Sequence, residues 1–226
     1  MPLVSSCLLT SFSLTTGTGK TTVLQEIIYQ KRKATKGNPN AVAVVAPTNL
    51  AAMALGGVTL HAWLGISVDE WADKSAESLE RTIRSRDAAA TRVKKAEILV
   101  MDEVPYLTAE AFDKLDQVIR LLRGVGQTPF GGMPIVMAGD FYQLGPIGPR
   151  DPEPGTVLRA AFEGSSWRNG AFEKNFYFTT RYRHRGDRRF IALLDTVRTG
   201  TLSEDTLKEL TELERPLPAD GPPVLG

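Results

Sequence analysis

The chain has 226 residues, 42% of them hydrophobic and 23% charged, with a formal net charge of +1. This is the composition of a globular domain able to bury roughly 70% of its unfolded surface. It excludes a disordered chain, and the near-zero charge excludes a global basic field as the means of holding nucleic acid.

A single cysteine, Cys7, excludes an internal disulfide and fits a reducing compartment; with only two distant histidines, His61 and His184, a Cys- or His-built metal site is not expected. No apolar run approaches the ~18 residues of a membrane span. Residues 1–14 are rich in Ser and Thr but carry no Lys or Arg, which argues against a transit peptide. They read as an irregular lead-in, or as a truncated or misjoined start.

Leu8, Leu9, Phe12 and Leu14 predict a short buried strand, and Gly17-Thr18-Gly19-Lys20-Thr21-Thr22 follows it. A glycine-rich turn carrying Lys-Thr can close bare N–H groups around a triphosphate, with Lys20 on the β- and γ-phosphates and the Thr21 hydroxyl on Mg²⁺. Val23, Leu24, Ile27 and Ile28 recur at helical spacing, so the turn feeds a helix N-terminus that favours anions. The full phosphate-loop pattern has a further glycine where this chain has Leu14.

The helix ends in Lys31-Arg32-Lys33 with Gly37 beyond, and residues 41–46 (AVAVVA) predict a strand buried on both faces of a parallel sheet. Asn49 is placed to cap a short helix through Met53 and Leu55, which Gly56-Gly57 ends. Residues 69–95 read as one or two amphipathic helices. Residues 98–101 form the next strand, stopped by Asp102-Glu103, and a helix with Leu115, Val118, Ile119 and Leu122 runs to Gly124. Residues 134–138 are a third strand, closed by Gly139-Asp140. After a proline-rich loop come a strand at 176–178, a helix through Phe190, Leu193 and Val197, and another at about 203–214. Strands alternating with helices predict an α/β fold with a mainly parallel sheet flanked by helices.

In such a sheet ligands bind at the carboxyl ends of the strands, where this sequence repeatedly places polar groups. Asp102 suits the carboxylate that holds Mg²⁺ through its water shell, and Glu103 the group that positions or deprotonates the attacking water. Gln143 suits a bond to that water and to the γ-phosphate. The alternative for Asp102-Glu103 is a strand-to-helix boundary whose acids favour the next helix N-terminus. Arg181 or Arg183 could meet negative charge developing on the γ-phosphate; surface salt bridging is the other reading of both.

Six blocks in order make the chain resemble the Pif family of DNA helicases in helicase superfamily one. They are residues 16–22 (TGTGKTT), 46–48 (APT), 56–66 (GGVTLHAWLGI), 99–104 (LVMDEV), 130–132 (FGG) running into 139–144 (GDFYQL), and Arg181-Tyr182-Arg183 with 197–200 (VRTG). The resemblance spans nearly the whole chain. It implies a RecA-like phosphate-loop domain over residues 1–215, with a Pro-rich tail at 216–226 leading toward a second motor domain that would lie beyond Gly226. It also implies an ATP-driven motor that moves 5′ to 3′ on single-stranded DNA and unwinds duplexes at junctions, in DNA repair, recombination and telomere maintenance. The nucleus or mitochondrion would be its compartment, with no membrane partner.

On the matching positions the resemblance implies that Gly17, Thr18, Gly19, Lys20, Thr21 and Thr22 hold ATP, and that Thr21 and Asp102 serve Mg²⁺. It implies catalytic roles for Glu103, Gln143 and Arg183, the last sensing the γ-phosphate, and places Thr48, Asn49, His61 and Trp63 in segments that touch single-stranded DNA. Trp63 also reads as an ordinary core tryptophan. The sequence departs from the family at Leu14, at Asn49 in place of glycine, at Pro105 where serine is more usual, and at His184 in place of glutamine. Residues 1–226 alone are therefore expected to bind Mg-ATP weakly and not to unwind DNA. A non-helicase phosphate-loop ATPase and a degenerate nucleotide- or DNA-binding fragment are the rival readings.

Overall fold

The computed structural model describes residues 9–14, 17–148, 156–169, 174–182, 186–212 and 214. The chain divides into two compact units, residues 1–183 and 184–226.

The first unit is built on a parallel sheet of β1 (Leu9–Leu14), β2 (Val42–Ala46), β3 (Val58–Thr59), β4 (Ile98–Met101), β5 (Ile135–Gly139) and β6 (Lys174–Phe178). Their order is β3-β2-β4-β5-β1-β6, with Val44 beside Val100, Val100 beside Val136, and Thr10 beside Val136. The unbroken apolar runs of β2, β4 and β5 are explained by two cores, one on each face. Val42, Val44, Ile98, Val100, Val136 and Ala138 pack on one side with Leu24 and Ile28 of α1 (Lys20–Ala34). Their neighbours Ala43, Val45, Leu99, Met101, Ile135 and Met137 point the other way. There they meet α3 (Leu60–Leu64), α5 (Ala76–Arg84), α6 (Asp87–Lys95) and α7 (Ala109–Arg123). Burying each large apolar side chain contributes about 1.5–3 kcal/mol.

The strands at 41–46, 98–101 and 134–138 and the helices after the phosphate loop and before Gly124 form where the sequence places them. Gly124, at φ 70°, ends α7 in the left-handed geometry that glycine permits. Three local expectations are corrected. The cap of α2 (Asn49–Ala54) is Thr48, not Asn49: Thr48 has extended backbone and its hydroxyl accepts from Ala51 N–H at 3.4 Å. Residues 69–95 hold three helices, because Ser67 and Ser75 each start one: α4 (Val68–Asp73), with a capping box to Glu70, and then α5. The strand β3, only two residues long, went unforeseen. It lies against β2 because Gly57 has no Cβ; one there would overlap the Val44 carbonyl oxygen.

At the head of α4, Glu70 accepts from Arg86, Ser67 N–H and Lys74, and the Arg86 guanidinium holds its carboxyl down at about 2. Before β5, Phe130, Gly131 and Gly132 are all left-handed. The buried Asp116 fixes that bend, accepting from Phe130 N–H at 2.5 Å while also binding Arg120. A short helix α8 (Ser165–Asn169) starts on Asp113, which accepts from both Ser165 and Ser166 N–H.

In the second unit, α9 (Arg188–Thr199) is capped by Asp187 and ended by Gly200, and Arg189 pairs with Glu209 of α10 (Glu204–Glu212). Among the described residues no helix is long and apolar enough to cross a membrane.

Candidate functional site

Three strands deliver polar groups to the carboxyl edge of the sheet. After β1, Gly17 and Gly19 take φ values of 79° and 91°, a geometry open to glycine and strained for other residues. Gly19 is the N-cap of α1 and makes no side-chain cap bond, so the first N–H groups of a fifteen-residue helix face the loop. Here helix dipole and free N–H groups act together on an anion. A backbone bond from Tyr182 N–H to the Gly17 carbonyl, 2.8 Å, ties the loop to the segment that follows β6.

After β4, Asp102 is 4% exposed, and its Oδ1 accepts the N–H of Glu103 at 2.9 Å. Glu103 itself is left-handed at φ 52°, a sparsely populated conformation for a residue with a side chain. Burial pushes both carboxyls above their ordinary values, and the Lys20 ammonium draws both part of the way back. Glu103 is also raised by the charges of Asp102 and Asp140. A carboxylate pair beside one lysine, starved of water, is an arrangement that gains from an added cation.

After β5, Asp140 is buried and organises the following turn. Its Oδ1 accepts Tyr142 N–H at 3.1 Å and its Oδ2 accepts Gln143 Nε2 at 3.2 Å.

Gly17, Gly19, Lys20, Thr21, Thr22, Glu103, Gln143 and Tyr182 line one cavity of about 490 Å³. Residues up to 165 positions apart in sequence (Gly17 to Tyr182) thus share a single cleft, and the buried Asp102 adjoins it through Glu103. A second cavity, of about 530 Å³, adjoins it across Gly19, Thr22 and Tyr182 and extends over Thr18, Val23 and Tyr177 to Thr180. Thr18, 5% exposed, lies on that side of the loop.

The oxygen donors here suit a small hard cation. Mg²⁺ takes one or two protein oxygens and completes its shell with phosphate and water, and the Thr21 hydroxyl and Asp102 carboxylate are donors of that kind. Among the described residues no group of three or more His, Cys, Asp or Glu forms a metal cage.

Thr48 and Asn49 follow β2 at the same edge of the sheet, Thr48 engaged as a cap and Asn49 exposed. His61, on α3, is half-buried, meets Trp71 edge-on at 5.9 Å, and has a buried Nε2 with no hydrogen-bond partner among the described residues. Trp63 is 4% exposed and packed in the core beside Leu64 and Val93. Its low exposure favours the reading of Trp63 as an ordinary core tryptophan over a base-stacking role. Arg181 is half-buried. Arg183 and the side chain of Leu14 lie outside the described residues.

Two positions at the site carry no assigned role in the sequence reading. Tyr182 lines both cavities and stood only as a letter between two arginines. Asp140 was recognisable as a strand-end acid, but its hold on Gln143 needs the turn geometry.

The PIF1-like helicase family matches residues 9–208. The ATP-dependent DNA helicase PIF1 of Saccharomyces cerevisiae is 37% identical over 204 residues, taking in 90% of this chain and 23% of that protein. Its Xenopus laevis counterpart is 32% identical over 206 residues, 89% of this chain and 29% of that protein. Among solved structures, the Candida albicans Pif1 helicase superposes with a TM-score of 0.81 at 32% identity, over 96% of this chain and 46% of that one. A Bacteroides Pif1 helicase in complex with ADP-AlF3 and single-stranded DNA superposes with a TM-score of 0.72 at 25% identity, over 96% of this chain and 48% of that one. The chain thus spans about a quarter of the length of these curated relatives and about half of these solved chains.

Proposed function

This chain belongs to the PIF1-like helicase family, and we propose that it forms the RecA-like ATP-hydrolysing domain of an ATP-dependent DNA helicase. The observation that carries the reading is the single cleft in which Lys20, Thr21, Glu103 and Gln143 converge. The phosphate-loop N–H groups and Lys20 bind the triphosphate tail. The adjoining cavity beside Tyr182 takes the sugar and base. Thr21 through its hydroxyl and Asp102 through the ion's water shell would hold Mg²⁺, which would supply charge neutralisation to the phosphates.

Glu103 holds the attacking water and accepts its proton. Its raised proton affinity brings it nearer the working pH of a general base. Gln143, steadied by Asp140, lines the same cleft and bonds the water or the γ-phosphate. Arg183 would sense the γ-phosphate, in keeping with the family resemblance.

For the whole protein we propose translocation 5′ to 3′ on single-stranded DNA, with Thr48, Asn49 and His61 on the strand-facing side, and unwinding of duplex junctions. DNA repair, recombination and telomere maintenance, in the nucleus or mitochondrion, are the settings that fit its family. Residues 1–215 make up the motor domain of this reading, and 216–226 the lead toward a second one.

The test is ATP turnover and strand separation by the full-length protein on duplexes carrying a 5′ or a 3′ single-stranded tail. Turnover stimulated by single-stranded DNA, unwinding only with the 5′ tail, and loss of both in Glu103→Gln are expected. Turnover indifferent to DNA would favour a non-helicase ATPase.

A further inference from the structure

The groups assigned to water handling, Glu103 and Gln143, hang from neighbouring strands on separate turns, and two contacts bolt those turns together. Glu103 is held at φ 52°, ψ 40° and runs directly into a 3₁₀ turn, Val104–Tyr106, whose Pro105 is buried. The ring of Pro105 sits over the α-carbon of Gly139, the last residue of β5. A Cβ on Gly139 would overlap the Pro105 Cδ and Cγ and come within 3.3 Å of Val104 Cγ1. The next residue after Gly139 is Asp140, which accepts from Gln143. At the far end of that loop, Ile147 N–H donates to the Tyr106 carbonyl at 3.0 Å. Ring on bare glycine at one end and backbone bond at the other thus set the spacing between Glu103 and Gln143.

We propose that Pro105 is a positioning residue for ATP hydrolysis: its ring, seated on Gly139, fixes the strained Glu103 turn against the loop that presents Gln143. The proposal rests on the hydrolytic reading of the cleft. Two features favour position over mere stability. Glu103 keeps a conformation that persists only where its surroundings impose it, and Pro105 with its locked φ is the second residue of the turn that follows it. Neither Pro105 nor Gly139 lines the cavity, so loosening the pair should leave nucleotide binding alone and act on the chemical step. Displacements of about 1 Å at such a step lower rates by about 10²-fold.

The experiment is DNA-stimulated ATP turnover by the full-length protein, with binding of a non-hydrolysable ATP analogue measured alongside. Pro105→Ala removes the ring carbons; kcat should fall at least about tenfold, while KM and analogue affinity stay within about twofold. Gly139→Ala should also lower kcat, by overlap. Adding Pro105→Ala to Gly139→Ala makes room for the new methyl group, so the double variant should turn over faster than Gly139→Ala alone.

A Pro105→Ala enzyme with unchanged kcat would overturn the proposal, as would a double variant whose losses simply multiply. Should Gly139→Ala fail to fold, the kcat-against-KM split in Pro105→Ala decides alone. Glu103→Gln separates the two levels. If it stops turnover while Pro105→Ala does not, only the positioning role fails; if it turns over like wild type, the hydrolytic reading fails too.

Discussion

Gln143 reaches its place through Asp140: its Nε2 donates to Oδ2 of a carboxylate that is 1% exposed at the end of β5. A buried acid thus acts as the footing for an exposed amide, and the footing matters because Gln143 sits on a solvent-facing loop. Asp140→Ala should lower DNA-stimulated ATP turnover by about 10²-fold while changing nucleotide affinity by less than about threefold. Steady-state kinetics with analogue binding checks this. An equal loss of affinity would place Asp140 in nucleotide binding instead.

Glu103 is the general base of this account, and general-base catalysis contributes about 10²–10⁴-fold. Glu103→Gln keeps size and hydrogen bonding but cannot take the proton. It should cut turnover by about 10³-fold and leave Mg-ATP bound. Single-turnover measurement separates that from slow product release.

His61 gives a pH signature. Burial holds its proton affinity below the ordinary value of 6.5, and its Nε2 has no hydrogen-bond partner among the described residues. The unfolded chain therefore binds more protons than the folded one around pH 6.5, so stability rises with pH through that window and falls on acidification. His61→Phe keeps an aromatic edge against Trp71 and removes the titration. Its melting temperature should decline less than wild type between pH 7.5 and pH 5.5, as differential scanning fluorimetry would show; parallel declines would contradict the assignment.

Asp116 serves the fold alone. It is 1% exposed, pairs with Arg120 and accepts the N–H of left-handed Phe130. Asp116→Ala takes the acceptor from the Phe130 N–H and the carboxylate from Arg120, which keeps its bond to the Gly126 carbonyl; the loss should approach the ~3–5 kcal/mol of a broken buried pair. Urea denaturation should register that loss with little change in the slope.

Much of this architecture is written in burial patterns. β2, β4 and β5 are covered on both faces and so appear as uninterrupted apolar runs, and the polar groups that follow them, Thr48, Asp102 and Asp140, stand at the carboxyl edge of the sheet. Local chemistry misleads where two residues compete for one task. Thr48 and Asn49 are both good caps, and only the extended backbone at Thr48 decides between them. Trp63 had an apolar neighbourhood compatible with either core or surface, and the close packing of α3 on α6 encloses it. The bond from Gln143 to Asp140, and the fit of Pro105 on Gly139, depend on how two loops approach in space. Sequence spacing carries no trace of that.

The most direct test of the central claim, that these residues form a nucleotide site, is equilibrium titration of Mg-ATP into the purified chain of residues 1–226 and into Lys20→Ala. Binding by the wild-type chain, weakened at least about tenfold by Lys20→Ala, is the predicted result, since the substitution removes a charge-assisted bond to phosphate. Equal affinity in the two proteins, or no binding in either, would contradict it.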